Sequence, residues 1–459
     1  MFRLEGRTAG PASSWEADDM NIREIAVDSL KYAKKMEHAE SYVLQSVTHS
    51  AYIDGSRISN IETKIDSGMC VRVADENKPG RACVTLGDAK DSENCVNSAI
   101  RVSSFSPKNN KFKGYPMPSG PAVDVKGVFD KKIEDITGAE LRDILSAVIG
   151  SCGSEIPRGL LRLSVIGSAV ANSNGLLTEH RSTMMYGHFT SMFRGTRNGE
   201  GTESLHGASL TIDPEHIGKE LDRKARASAS AIPFKGSEKM TMILPPCELG
   251  DMIMSSAGSA LNGENVFYER SPWTGKMDKE VASACLTLTD DPTTPGPLCS
   301  AFDDEGTPSQ KKVLVDNGIL RSFIRDSFVG NSTGNGMRRN STDAQNVYCS
   351  SVGIRPMNMI VSKGAYSQDD IISQTDNGIF VEKFAWPEAD PLTGRFGLEV
   401  RCGHIIRNGK ITDTINNSLL MGNMFDALAN IEFIGNDAVN IGCVTIPTMS
   451  FSGTELAGN

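Results

Sequence analysis

The chain has 459 residues, of which 39% are hydrophobic and 23% charged, which is ordinary for a globular protein long enough for about three domains. Its formal net charge of -10 disfavours nucleic acid, which needs a dense basic surface, and anionic lipid headgroups. There is no apolar run near the ~18 residues of a membrane span and no apolar signal segment at the start, and the ten cysteines are scattered, so we expect a cytoplasmic protein.

The first part of the chain predicts a polar extension and then a small α/β unit. Residues 1–19 are polar and aperiodic, so we expect them to be disordered. The N-terminal domain, 20–106, opens with a helix at about 21–38, where apolar residues recur at helical spacing. Two strand pairs and a second helix follow, with the turn Asp54-Gly55 inside the first pair. Residues 106–121 are rich in proline, glycine and asparagine, which predicts a linker.

The central domain, 122–233, carries two clear helix starts. Thr137 and Glu140 have the spacing of a capping box in front of an apolar helical face. Asp213 precedes Pro214, which is typical of an N-cap followed by the first helical residue. Long strand-like segments lie between the two helices, so this unit is again predicted to mix helices with antiparallel strands.

The last domain, 239–459, has a different character. After a strand at 240–244 and a helix at about 249–261, the sequence consists of short strands separated by glycine, asparagine, aspartate and proline. This pattern predicts a large β-rich domain. The predicted fold class is therefore α+β, with an α/β N-terminal lobe of antiparallel hairpins and helices followed by a large β-rich C-terminal domain.

The sequence contains few of the common catalytic motifs. There is no C-x-x-C or H-E-x-x-H, and no nucleotide-binding glycine motif. A G-x-S-x-G pattern centres on Ser332, but the sequence after it is not helical and only His404 lies downstream as a base. An autonomous serine hydrolase is therefore an alternative, but a flexible polar loop accounts for this pattern more simply.

Two further features are open to more than one interpretation. Asp303, Asp304 and Glu305 are three adjacent carboxylates that could hold a cation or the amino terminus of a peptide. The alternative is a solvated acidic turn. Cys443 lies in a late predicted strand and is most simply a buried core residue.

Short segments spread along the chain follow one order that is typical of a known family. They are Ser59–Glu62, Gly68–Val73, Val281–Ser283, Leu286–Pro292, Phe302–Gly306, Ser332–Asn335, Asp390–Phe396 and Ile434–Asp437. In this order they resemble the TldD/PmbA metallopeptidase family, also called modulators of DNA gyrase. The resemblance covers roughly Tyr42 to the C-terminus and is strongest in the last domain.

The resemblance also shows what this chain has lost. Active members of the family carry H-E-x-x-x-H on a helix shortly before the segment at 281–283, with a late cysteine as a further zinc ligand. At the corresponding positions this chain has Met254, Ser255 and Ser259, which are poor zinc ligands and leave no carboxylate to activate water. Cys443 matches the late cysteine, but one thiolate cannot hold a catalytic zinc. The resemblance therefore implies degenerate metal-site positions, no catalytic residue and no cofactor in this chain.

This departure resembles the PmbA, or TldE, branch, whose members pair with a zinc-bearing TldD subunit. It implies the non-metal subunit of a cytosolic peptidase complex that encloses a chamber and acts on unfolded peptides or small proteins, with zinc supplied by the partner. Candidate substrate contacts are Asp303, Asp304, Glu305, Asn335 and Arg338, unless these residues form turns that hold the chamber wall together. The open alternatives are a protein-binding regulator of the gyrase-modulator type without proteolytic activity and, for assembly, a homodimer.

Overall fold

The computed structural model of the chain describes residues 21–88, 90–118, 125–329, 337–339 and 352–458, so the predicted extension at 1–19 lies outside the described residues. The fold is α+β, as the sequence predicts. Within these described ranges, no helix is both long and apolar enough to cross a bilayer. The helices are α1 Ile22–Ser29, α2 Asp91–Phe105, α3 Lys131–Glu134, α4 Gly138–Ser151, α5 Pro214–Ala229, α6 Pro246–Ile253, α7 Ser259–Leu261, α8 Gly263–Phe267, α9 Gln368–Ser373 and α10 Met424–Ala429, with a 3₁₀ turn at Leu30–Ala33 and a π-helical turn at Met254–Gly258.

The strands form three large sheets and one short pair. They are β1 His38–Asp54, β2 Arg57–Asp75, β3 Lys78–Thr85, β4 Glu155–Asn172, β5 Leu177–Phe193, β6 Gly199–Gly207, β7 Ile232–Pro233, β8 Gly236–Leu244, β9 Leu288–Asp290, β10 Lys312–Asp316, β11 Ile319–Leu320, β12 Met337–Arg339, β13 Val352–Ile354, β14 Met359–Val361, β15 Asn377–Phe384, β16 Arg395–Arg407, β17 Lys410–Asn416, β18 Ser418–Asn423, β19 Ile431–Ile434, β20 Val439–Ile441, β21 Val444–Ile446 and β22 Met449–Gly458.

The N-terminal sheet contains strands from both of the predicted N-terminal and central domains. Its order is β3-β2-β1-β4-β5-β6, and every neighbouring pair is antiparallel. The ranges 20–106 and 122–233 therefore share one sheet rather than building two, because β1 pairs with β4 along 15 residue pairs from Glu40↔Asn172 to Asp54↔Arg158. Single-sequence periodicity predicts strands but carries no information on this long-range pairing.

The two faces of the N-terminal sheet have different neighbours. Alternate residues of a strand point to opposite faces, so Val43 and Ala51 of β1 pack into the cores beneath the helices, whereas Leu44 belongs to a separate small cluster. Phe189 of β5 also faces the helix side. The face opposite the helices, here called the open face, is turned toward the C-terminal domain.

Several local predictions are confirmed by side-chain contacts. Thr137 and Glu140 form the predicted capping box at the start of α4. Asp213 caps α5 by accepting a hydrogen bond from the backbone N–H of His216 at 3.0 Å. The first helix is shorter than predicted, because α1 ends at Ser29, a 3₁₀ turn follows, and His38 already begins β1.

The C-terminal domain consists of the two remaining large sheets with a helix packed between them. One sheet has the order β11-β10-β9-β14-β21-β20. In the other, β15, β8, β22, β18 and β16 pair in a closed ring, because β16 pairs with both β18 and β15. A single apolar core joins these sheets to the continuous helix 246–261, so that helix is held from several sides.

A buried ion network connects the N-terminal sheet to the C-terminal domain. Arg72 of β2 is 2% exposed; it donates from Nε to Glu40 Oε1 at 2.9 Å and from Nη2 to Glu305 Oε1 at 2.8 Å. The predicted linker takes part in this junction, since Phe112 and Tyr115 are buried and the Tyr115 ring lies 5.0 Å from the Arg72 guanidinium. The segment is therefore packed along part of its length rather than free.

Candidate functional site

A cleft of about 650 Å³ lies between the open face of the N-terminal sheet and the C-terminal domain. One wall is formed by β5 and β6, and the other by α6, β15 with the loop that follows it, and the turn between β20 and β21. Its ionisable lining residues are Tyr186, His188, Glu200, Glu203, His206, Lys224, Cys247, Glu248, Asp251, Arg355, Glu382, Lys383, Glu388 and Cys443. Apolar side chains also line it: Met184, Met254, Pro297, Leu298, Trp386, Pro387 and Ile441.

The structure brings two of the four degenerate metal-site positions to this cleft. Met254 and Cys443 both line it. Met254 opens the π-helical turn, and Ser259 follows that turn directly. A π-helix bonds residue i to residue i+5, so positions 254 and 259 lie one turn apart. The positions at which the resemblance expects H-E-x-x-x-H therefore fall on a helical turn whose repeat suits that spacing.

The two serines at the other degenerate positions have structural contacts. Ser255 donates to the carbonyl of Met252 and accepts from the backbone N–H of Ala389, each at 3.1 Å. Ser259 accepts a hydrogen bond from the side-chain amide of Asn265 at 3.1 Å. Neither serine is among the described residues that line the cleft. Their hydroxyls hold the helix to its neighbours.

The donor set at these four positions does not fit a zinc ion. Zinc takes thiolate, imidazole or carboxylate ligands, whereas this set offers one thioether, two engaged hydroxyls and one thiol. Burial raises the pKa of the Cys443 thiol. No hydrolytic step can be assigned to these residues.

Charged groups in the cleft are largely arranged in pairs. Lys224 lies 2.7 Å from Glu203, and Lys383 lies 3.1 Å from Glu248. Desolvation between the cleft walls, and then the Glu388 carboxylate, raise the pKa of Asp251. Six carboxylates and three cationic side chains line the cleft, which favours a positively charged group as its occupant.

The two histidines of the cleft are held in their neutral form. Burial lowers the pKa of His206 to about 4, and it also lowers the pKa of His188. His188 Nδ1 lies 3.0 Å from Ser204 Oγ across β5 and β6. The His206 ring meets the Tyr186 ring edge-on, with centroids 5.4 Å apart. These rings therefore offer neutral hydrogen-bonding and apolar surface to a ligand at neutral pH.

The acidic turn lies away from the cleft and points into the protein. Asp303, Asp304 and Glu305 are 1%, 8% and 0% exposed, and none is among the described residues that line the cleft. Asp303 accepts hydrogen bonds from the backbone N–H groups of Glu305 and Thr307, each at 3.0 Å. Burial, and then the Glu305 carboxylate, raise the pKa of Asp303 well above its ordinary value. These contacts favour the turn-building alternative, and contact with substrate stays a prediction.

The remaining candidate residues follow β11 in the sequence. Asn335 lies outside the described residues, as does Ser332 of the G-x-S-x-G pattern. Arg338 lies in β12, which pairs with β13, but its side chain is outside the described part. Their predicted roles therefore stay predictions.

A cluster that sequence reasoning missed lies beside the cleft, where Glu382, Cys402 and His404 converge from β15 and β16. Glu382 lies 20 residues before Cys402 in the sequence, and no ligand motif spans the two strands. The signal that was available is the spacing of Cys402 and His404, since residues two apart on a strand share a face.

Comparison with known proteins gives the class of protein that this fold and cleft represent. Residues 237–458, from β8 to the end of β22, match the family model described as the PmbA/TldA metallopeptidase C-terminal domain. This C-terminal domain therefore belongs to the PmbA/TldD family.

The relatives extend the likeness to the whole chain. An uncharacterized protein of Methanocaldococcus jannaschii is 28% identical over 428 residues, which cover 90% of this chain and 95% of that protein. A Buchnera aphidicola protein named metalloprotease PmbA homolog is 22% identical over 470 residues, covering 97% of this chain and 98% of that protein. The solved structure of TldE from Thermococcus kodakarensis matches the fold with a TM-score of 0.83 at 21% identity, over 94% of this chain and 100% of that chain.

Proposed function

We propose that this chain is the non-metal subunit of a cytoplasmic peptidase complex, in which a TldD-like partner supplies the zinc and this chain supplies part of the peptide-binding surface. The observation that supports the proposal most directly is the composition of the helical turn at residues 254–259. Met254 and Cys443 line the cleft at positions where the resemblance expects zinc ligands, but positions 254, 255 and 259 supply neither an imidazole nor a carboxylate.

The cleft suits an extended peptide. Tyr186, Met254 and the 69%-exposed Trp386 offer apolar contacts along it. Asp251 and Glu388 lie close enough for one carboxylate to raise the pKa of the other, so a cation between them is favourable. We therefore expect peptides with apolar side chains and a positive charge, either at the amino terminus or on lysine or arginine.

The direct test is reconstitution with a zinc-bearing TldD-like protein. The purified chain, the partner and their mixture would each be assayed for cleavage of an unfolded, fluorescently quenched peptide. We expect no cleavage by the lone chain and more cleavage by the mixture than by the partner alone. Cleavage by the lone chain, or a mixture no more active than the partner, would overturn the proposal. A stable complex without cleavage would favour the protein-binding regulator instead.

A second test examines the degenerate position itself. The triple variant Met254→His, Ser255→Glu and Ser259→His restores the H-E-x-x-x-H order on the π-helical turn, and Cys443 would then supply a third ligand. We expect the triple variant to bind one more zinc per chain than the unaltered chain. Adding Cys443→Ser should remove most of that gain, and an unchanged zinc content would refute the assignment of this helix.

A further inference from the structure

Three ligating atoms of different chemistry meet beside the cleft in a small triangle. Glu382 Oε2 lies 3.4 Å from His404 Nε2 and 3.5 Å from Cys402 Sγ. Cys402 Sγ lies 4.0 Å from His404 Nε2. The side chains of Glu382 and His404 are 10% and 13% exposed, and Cys402 is buried. The triangle is therefore largely shielded, and Glu382 is the member that also lines the cleft.

The size of the triangle matches one face of a zinc tetrahedron. Zinc–ligand bonds of about 2.3 Å to sulfur, about 2.0–2.1 Å to nitrogen and about 2.0–2.2 Å to oxygen at tetrahedral angles place the ligand atoms about 3.3–3.6 Å apart. The two distances from Glu382 Oε2 agree with this range directly. The distance from sulfur to imidazole is slightly longer, and a small side-chain rotation would close it.

The backbone explains why these three side chains share one side of the sheet. Cys402 and His404 are two residues apart on β16, so they project from the same face. The register between β15 and β16 shifts between Val381 and Lys383, a local irregularity of the β-bulge kind. Glu382 lies at that shift, next to Cys402, and bulges often re-aim a side chain in this way.

Neighbouring residues orient two of the three ligands. Thr414 Oγ1 lies 3.1 Å from His404 Nδ1 and can accept a hydrogen bond from Nδ1–H, which leaves the Nε2 lone pair directed toward the triangle. Arg223 donates to Glu382 Oε1 at 2.6 Å, so Oε2 is the carboxylate oxygen that faces Cys402 and His404. Hydrogen bonds of this kind to the outer atoms of ligands are typical of metal sites.

We propose that Glu382, Cys402 and His404 bind one zinc ion beside the cleft. Sulfur, nitrogen and oxygen donors together suit zinc better than magnesium or calcium, which prefer oxygen alone. Binding forms bonds from Zn²⁺ to Glu382 Oε2, His404 Nε2 and Cys402 Sγ, and the thiol releases its proton to solvent. This site is distinct from positions 254–259, and it differs from the expectation that the chain binds no metal.

The experiment uses the full-length chain, stripped with chelator and titrated with Co²⁺ and then Zn²⁺. Cobalt gives a thiolate charge-transfer absorption only when a cysteine is a ligand, and zinc displaces it. We expect one cobalt per chain with that absorption, and its loss in Cys402→Ser and in His404→Gln. Cys443→Ser is the matched control, because Cys443 lines the same cleft outside the triangle and its loss should leave the spectrum unchanged.

A milder variant covers the case in which a ligand change disturbs folding. Thr414→Val removes only the hydrogen bond to His404 Nδ1, so it should fold normally and weaken metal affinity by roughly 10–100-fold. No cobalt absorption in the unaltered chain, or loss of the absorption in Cys443→Ser rather than Cys402→Ser, would overturn the proposal. These readouts do not involve peptidase activity, so their outcome is independent of the reconstitution test.

Discussion

The most informative prediction on stability concerns the buried junction at Arg72. The change is Arg72→Met, which keeps a long side chain but removes the charge between Glu40 and Glu305. Arg72 is 2% exposed and both glutamates are 0% exposed, so no water is available to solvate the two carboxylates that remain. We therefore expect a large loss of stability and a weaker connection between the N-terminal sheet and the C-terminal domain.

The expected size follows from the geometry. Removing one partner of a buried ion pair costs about 3–5 kcal/mol, and here a single change leaves two carboxylates without their cation, so we expect a loss of at least about 4 kcal/mol. The matched control is Arg81→Met. Arg81 lies directly opposite Arg72 on β3 but is exposed, so the control should change stability by no more than about 0.5 kcal/mol.

The assay is urea-induced unfolding of both variants, followed by circular dichroism and tryptophan fluorescence. The Arg72→Met midpoint should fall well below that of Arg81→Met. Adding Glu40→Gln and Glu305→Gln to Arg72→Met should recover part of the loss, because neutral side chains no longer need a buried cation. Equal midpoints for the two arginine variants would refute the reasoning.

Three other predictions test separate parts of the structure. Burial lowers the folded-state pKa of His206 to about 4, below its ordinary value of 6.5, so the free energy of unfolding should fall as pH drops from about 6.5 to about 4. In unfolding measured across that pH range, His206→Phe should reduce this loss by up to about 3 kcal/mol. A methyl group at Gly199 would overlap the backbone of α5, so Gly199→Ala should lower the free energy of unfolding by about 1–3 kcal/mol. Gly150 lies in α4 with open space around it, so Gly150→Ala should raise the free energy of unfolding by about 0.5–1 kcal/mol, and reversed signs would contradict the packing described. Trp386→Ala should weaken peptide binding by the reconstituted complex about 5- to 30-fold in a fluorescence-anisotropy titration, whereas the control Tyr268→Ala, at a similarly exposed residue, should not. Equal losses of peptide affinity in the two variants would show that Trp386 is not part of the binding surface.

Sequence reasoning succeeded where the signal is local. A capping box needs only Thr137 and Glu140 three residues apart, and both contacts are present at the start of α4. The first hairpin was also predictable, although the turn residues with positive φ are Gly55 and Ser56 rather than Asp54 and Gly55. The α+β class follows from summing many such local signals.

The parts that could not be predicted depend on contacts between distant residues. Arg72 and Glu305 are 233 residues apart, and their pairing turns an apparently solvated acidic run into a buried junction. Glu382 approaches Cys402 and His404 only because a register shift aims it there. The resemblance to a known family located the degenerate helix at 254–259, but the cleft that joins Met254 to Cys443 required the three-dimensional structure.

The decisive measurement is the peptidase activity of the chain with and without a zinc-bearing TldD-like partner, at equal total zinc. We expect that the lone chain cleaves no unfolded peptide, even when it carries zinc at Glu382, Cys402 and His404, and that mixing increases the activity of the partner. Sustained cleavage by the lone chain, abolished by chelator and restored by zinc, would contradict this expectation, and would mean that this subunit carries a complete active site of its own.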